Sequence, residues 1–315
     1  AMQAELREKA VVYINTDLSM RGRFDGGGTP SLRDFLIQVT RDVPHFDGGG
    51  SVYERWRAEE WVRQPPDRRR RGQQEFEVEL GALGSGADFV AFQDFLGLPT
   101  LQMEFDFEGS YGPYHSNYDT RQYVERHTDP GFRVSQTLAR VLGLAVLRLA
   151  STELLPFRYS HYARKIQEFT DTAESWAIDE SGRRRVAVDL ADARRLAAQA
   201  MAKAAAIEAQ LARRSATGPT KPDRTRRIND ALVRLEQQLL DESESPAIRW
   251  YRHVIYGWNI YSLYEGQPLP GLAEAIRVGD PAAVARETSR LDQALARFLT
   301  ALEEIARLAD TLDLP

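Results

Sequence analysis

A chain of 315 residues is long enough for two domains and a sizeable hydrophobic core. Hydrophobic residues make up 43% and charged residues 28%, an ordinary globular balance, and the net charge of −5 gives no electrostatic footprint for nucleic acid. Cysteine is absent, which excludes disulfides, a thiol nucleophile and thiolate metal sites and leaves His, Asp and Glu as the plausible zinc ligands.

The chain opens Ala1-Met2, which reads as an extra residue ahead of an initiator methionine, with no basic-then-apolar signal peptide behind it. No apolar run reaches the ~18 residues of a membrane span. The nearest, residues 141–150, is interrupted by Arg148. Residues 3–10 read as the tail of a polar helix. Residues 10–15, Ala-Val-Val-Tyr-Ile-Asn, read as a buried strand, and their continuous apolar character suits the centre of an α/β sheet. The strand runs out at Asn15-Thr16-Asp17. A carboxylate there sits where open α/β sheets bind ligands, although a turn or capping aspartate has the same signature.

Residues 31–43 form an amphipathic pattern with Leu32, Phe35, Leu36 and Val39 on one face. A second helix is expected over 51–62. The segment 64–74 is a polar surface excursion whose run Arg68–Arg71 is a solvated loop in an acidic chain. Leu-Gly-Ser-Gly-Ala-Asp at 83–88 introduces a helix-like run to Leu96. Its two glycines permit close backbone approach to a ligand, and helix-start N–H groups favour negative charge. A strand is expected over 98–107.

Residues 111–120, Tyr-Gly-Pro-Tyr-His-Ser-Asn-Tyr-Asp-Thr, pack three tyrosines, a histidine and a carboxylate behind Gly112-Pro113. The proline makes this a rigid loop, and rigidly held loops concentrate functional side chains. His115 in such a loop can bind a metal, shuttle a proton or fill a structural slot. An apolar helix over 131–150 closes the α/β part. Beyond Pro156 the pattern is almost purely helical. Residues 187–216 form a long Ala-rich helix, a linker at 217–223 leads to a helix over 224–240, and Asp280-Pro281 caps a last helix. In that helix Leu291, Leu295, Phe298, Leu302, Ile305 and Leu308 form one stripe. The apolar stripes exceed what one copy need bury, which points to a C2 dimer. An aromatic loop is expected over 250–271.

Six stretches carry a resemblance. They are Tyr-Ile-Asn-Thr-Asp (13–17), Leu-Gly-Ser-Gly-Ala-Asp-Phe (83–89), Tyr-His-Ser-Asn-Tyr-Asp-Thr (114–120), Leu-Pro-Phe (155–157), Tyr-Arg-His-Val-Ile-Tyr (251–256) and Leu-Pro-Gly (269–271). In this order and spacing the set resembles the carboxyl-terminal half of the glutamate carboxypeptidase II family, which shares its fold with the transferrin receptor. The resemblance implies an α/β plus α architecture. An incomplete zinc-exopeptidase α/β sheet domain over 1–150 would be followed by a transferrin-receptor-like helical dimerisation domain over 151–315.

It further implies a two-zinc peptidase site in which Asp17 and His115 are metal ligands. Tyr114 would be the oxyanion donor, and Ser85, Gly86 and Tyr264 would contact a peptide substrate. Residue types agree with the chemistry, since zinc takes carboxylate oxygen and imidazole nitrogen, and two metals can polarise a carbonyl and deliver hydroxide. In the family pattern the other ligands and the general base precede the segment this chain resembles, so the chain alone is expected to be an incomplete enzyme. The remaining histidines, His45, His127, His161 and His253, fall outside the family's metal positions and read as surface or structural residues. Where glutamate-selecting members carry cations, this chain has Leu101, Gln102, Met103, Glu104, Ala87 and Leu263, which favours a less acidic peptide. The alternative is a non-catalytic interaction module that self-associates through the helical part.

Overall fold

Three strands, β1 (Tyr13–Asn15), β2 (Phe24–Gly28) and β3 (Thr100–Phe105), pair in the order β1-β3-β2, parallel between β1 and β3 and antiparallel between β2 and β3. The computed structural model describes residues 2–69, 72–107, 109–178, 182–183, 185–216, 218, 221–241, 251–259 and 261–313. Arg70, Arg71, Trp250 and most of the 217–220 linker lie outside the described residues, as do the side chains of Arg68 and Leu263. Because side chains alternate along a strand, Leu101, Met103 and Phe105 enter the core while Gln102 and Glu104 take the opposite face. The strand expected over 10–15 forms only at 13–15, and on the sheet edge among the described residues. Val11, ahead of the strand, is 37% exposed.

One face of the sheet is covered by helices. α1 (Gln3–Lys9) precedes β1, and α2 (Arg33–Arg41) and α3 (Val52–Arg63) follow β2. The start of α3 is fixed by a capping box in which Ser51 accepts from the Glu54 N–H and the Glu54 carboxylate accepts from the Ser51 N–H. Two short helices, α4 (Pro66–Arg69) and α5 (Arg121–Tyr123), come before α6 (Arg133–Ser151). α6 packs Val134, Leu138, Val141 and Ala145 towards β3 and α2. The segment Pro130–Ser151 has the length and apolarity of a membrane span over an 18-residue window, and it is the one such helix among the described residues.

The second half is built from α7 (Tyr159–Trp176), α8 (Ala191–Ala216), α9 (Pro222–Arg234), α10 (Pro270–Val278) and α11 (Pro281–Asp310). α8 buries Ala193, Ala197, Ala200 and Ala204, small residues that let α7 and α11 approach it closely. α11 starts where Asp280 accepts from the Ala282 N–H with Pro281 at the first helical position. Leu291, Leu295, Phe298, Leu302 and Ile305 are all buried within the chain. That stripe is therefore satisfied by α8, α9 and α10, and it supplies no surplus apolar surface for a partner. The expected aromatic loop over 250–271 is instead a hairpin, β4 (Tyr256–Asn259) with β5 (Ser262–Pro268), running into α10. A single core cluster runs from Phe24 to Leu312 through both halves.

A polar seam lies inside that core. The Tyr162 hydroxyl donates to Glu236 Oε1 at 2.8 Å, and His253 Nε2 lies 3.0 Å from the same oxygen. Asp94, in a π-helical segment at Ala91–Leu96, is 1% exposed and has one carboxylate oxygen without a partner. Burial first, and then the nearby Glu236 charge, push its carboxyl up to about 8 from an ordinary 3.8. The unfolded chain releases this proton near pH 4 whereas the folded chain keeps it to about pH 8. Over that window the unfolded state binds fewer protons, so the group lowers stability as pH rises and its effect levels off above pH 8. Asp94→Asn is expected to raise the stability by roughly 2 kcal/mol at pH 7, with the gain fading towards pH 4. Urea unfolding at both pH values checks this, and an equal gain at both would contradict it.

Candidate active site

The loop at 111–120 is a succession of turns. Tyr114 N–H donates to the Tyr111 carbonyl at 3.2 Å, Ser116 N–H to Pro113 at 2.9 Å, and Asp119 N–H to Ser116 at 3.1 Å. The buried Tyr111 donates its hydroxyl to the Asp119 carboxylate at 2.7 Å and pins the loop's far end. His115 has φ of +58°, a conformation uncommon for a non-glycine residue and frequent at functional sites. Its ring stacks on Tyr114 at 3.8 Å, and both residues are exposed.

Two further segments meet this loop. The Tyr264 hydroxyl, carried by β5, lies 3.4 Å from the Tyr114 hydroxyl. The Tyr264 ring lies over Gly86, where a β-carbon would come within 2.5 Å of it, so the 83–88 segment needs glycine there. An isolated bridge between Leu83 and Glu265 fixes that overlap, and Ser85 is half-buried beside it. Asp17 lies just past the end of β1. Its carboxylate accepts from the Asn15 amide at 2.8 Å, Asn15 accepts from the Tyr13 hydroxyl at 3.3 Å, and Tyr13 stacks on Phe92 at 3.9 Å. This Tyr13–Asn15 support was not singled out from sequence; its signal is the alternation that puts both side chains on one face of β1.

The electrostatics tie the pieces together. Tyr114 is pushed up to about 12 by its hydrogen bond to Tyr264, then by burial and by the charges of Tyr264, Asp17 and Glu104. It therefore stays a protonated donor at any physiological pH. Glu104 rises to about 7 through burial and the neighbouring Asp25, which faces it across the β2–β3 pair. Of the four consecutive residues 101–104, Leu101 and Met103 lie in the core, and only Gln102 and Glu104 face the site side.

The donor set is not a metal centre by itself. Among the described residues no group of three or more His, Asp or Glu side chains gathers closely enough to hold a metal ion. The structure thus brings together Tyr114, Tyr264 and Gly86, with the Asp17 charge reaching Tyr114, and leaves His115 stacked on Tyr114. The other histidines have structural surroundings. His45 is buried against Phe46, His127 lies against Tyr123, His161 pairs with Asp34 at 3.1 Å, and His253 is buried on Glu236.

Residues 157–303 match the transferrin receptor-like dimerisation domain. The aminopeptidase NAALADL1 of Mus musculus is 28% identical over 313 residues, covering 96% of this chain and 40% of that protein. Its Rattus norvegicus counterpart is 29% identical, covering 86% of this chain and 36% of that protein. The probable glutamate carboxypeptidase LAMP1 of Arabidopsis thaliana is also 29% identical, with the same two coverages of 86% and 36%. The chain thus spans about two fifths of the length of these relatives. With the ordered site motifs, these likenesses support a transferrin receptor-like and glutamate carboxypeptidase-like peptidase family, of which the chain resembles a carboxyl-terminal part.

Proposed function

We propose that this chain is the carboxyl-terminal portion of a zinc-dependent exopeptidase that hydrolyses small peptides. The observation that carries this reading is the convergence of Tyr114, Tyr264 and Gly86 beside the Asp17 carboxylate. Zinc, when bound, would supply a polarised carbonyl and an activated water. Asp17 and His115 are donors of the right chemistry but not a sufficient set, so the remaining ligands and the base come from outside the described residues. No step through the metal is assigned to this chain.

Its own residues have definable tasks. Tyr114 keeps its proton and is exposed, so by exchanging its contact with Tyr264 it can donate to an oxygen on which negative charge develops. Tyr264, whose ring lies over Gly86, closes over the residue beside the scissile bond, with Ser85 beside it. No cation replaces those of glutamate-selecting members, and Glu104 adds negative charge. A peptide without an acidic terminal side chain is the better substrate. The helical part, residues 151–315, forms a homodimer; the match over 157–303 supports this, whereas the α11 stripe does not. The same match favours a second reading, a non-catalytic self-associating module, for the chain in isolation.

Metal stripping and zinc titration separate these readings from the complete enzyme. The chain alone is expected to bind zinc weakly and below one equivalent; tight binding of one or more equivalents would overturn the proposed incompleteness. In a longer form that hydrolyses peptides, Tyr114→Phe should lower kcat by about 100-fold with little change in KM. Unchanged kcat would remove Tyr114 from the oxyanion role. Sedimentation of the chain should give a dimer, and a monomer at high concentration would contradict the assignment of the helical part.

A further inference from the structure

We propose that His253, held by Glu236, is a positioning residue that sets where Tyr264 meets Tyr114 and Gly86. His253 sits three residues before β4, and its side chain and that of Glu236 are both 0% exposed. Nδ1 faces the N–H groups of Ile255 and Tyr256, each at 3.2 Å. Two donors aimed at Nδ1 make it the acceptor, so the ring proton lies on Nε2, where it donates to Glu236 Oε1 at 3.0 Å. The Tyr162 hydroxyl donates to that same oxygen, which fixes the carboxylate from a different helix.

The backbone around His253 is anchored on both sides. The N–H groups of Arg252 and His253 donate to the Asp94 carbonyl at 2.8 and 3.1 Å, joining the hairpin root to the segment that follows the 83–88 loop. Val254 N–H donates to the Leu239 carbonyl at 2.9 Å, and an isolated bridge links His253 to Leu240, joining the root to the helical half. From this root the chain turns directly into β4, which pairs Tyr256 with Pro268 and Trp258 with Gly266. The regular pairing ends at Trp258 and Gly266, with a register shift before the Asn259–Ser262 pair, so Tyr264 lies two residues from the last regular pair. The Leu83–Glu265 bridge beside it carries the setting to the glycine segment. The imidazole accepts from both the Ile255 and Tyr256 N–H groups. Losing its Nδ1 would leave two buried donors unsatisfied, at a cost that a local turn can relieve by shifting.

The proposal rests on the reading that Tyr264 closes over substrate, but its test needs no substrate. The full chain is labelled with 3-fluorotyrosine, and the Tyr264 resonance is identified by its loss in Tyr264→Phe. His253→Gln, whose amide reaches the Nε2 place but not Nδ1, is expected to displace and broaden that resonance while the far-ultraviolet spectrum stays folded. His253→Asn, whose amide oxygen takes the Nδ1 place, should stay closer to the wild-type position. If His253→Gln does not fold, Glu236→Ala, which leaves the imidazole unheld, is read in the same way. An unmoved resonance in a folded His253→Gln or Glu236→Ala, or equal displacement by Asn and Gln, would overturn the proposal. A displaced Tyr264 with unchanged peptide turnover in an active longer form would instead retire the substrate role of Tyr264 and leave the positioning intact.

Discussion

The alternation of β3 is the constraint on which this architecture depends. One face of a six-residue strand buries Leu101, Met103 and Phe105 against helices, and the other presents Gln102 and Glu104 beside Asn15 and Asp25. A strand cannot move one set without moving the other, because consecutive side chains are fixed on opposite faces. Packing of α6 and α2 on the apolar face therefore also fixes the height and register of the polar one. Asp17, just past a strand that among the described residues pairs with β3, inherits that register.

On the site side burial outweighs Arg23 and Arg63, which pull the Asp25 pKa down, and Arg23 lies 3.8 Å from Asp106. Glu104 and Asp25 oppose each other across a strand pair, burial raises the pKa of both, and Asp17 and Asp106 add to the field at Glu104. Buried arginine is available elsewhere, and Arg33 is engaged by Asp34, Glu77 and the Val78 carbonyl. Carboxylates kept desolvated with so little direct guanidinium pairing are held at a free-energy cost. That cost is lowered by whatever brings positive charge to this face. A metal completed from outside this segment and a substrate amine would both do so, and an acidic side chain would add to it.

The sequence makes the helices legible and hides part of the sheet. α2, α3, α6, α8 and α11 follow apolar periodicity, a capping box and an Asp-Pro start, all of which act within a few residues. β2 reads Phe-Asp-Gly-Gly-Gly, a composition depleted in strands, and it forms because β3 and the α2–α3 surface demand backbone there without side chains. At Gly26 a β-carbon would come within 2.9 Å of both Leu36 and Trp56, a contact that no local pattern announces. The hairpin was hidden for a similar reason. Its Gly257, Gly266 and Pro268 imitate a loop, and its pairing is fixed by the buried root rather than by turn chemistry. Asp17, Tyr114, His115, Ser85, Gly86 and Tyr264 were legible as motif residues. The Tyr114–Tyr264 contact was not, because it joins residues 150 positions apart.

That long-range contact also bears on how the two halves relate. Tyr264 belongs in sequence to the helical half, between α9 and α10, and yet its ring covers Gly86 and its hydroxyl meets Tyr114. The root of its hairpin is bonded to Leu239 on one side and Asp94 on the other, and the apolar core passes without a break between them. A self-association domain that served only to join two copies would have no need to reach into the other half's loop cluster. Here the reach is built from buried hydrogen bonds whose loss is costly, and it ends at the candidate site. The helical part is therefore a wall of the site as well as a scaffold. Two connections lead from the outer helices to Tyr264: the seam of Tyr162, Glu236 and His253, and α10, which follows β5 directly and packs on α11.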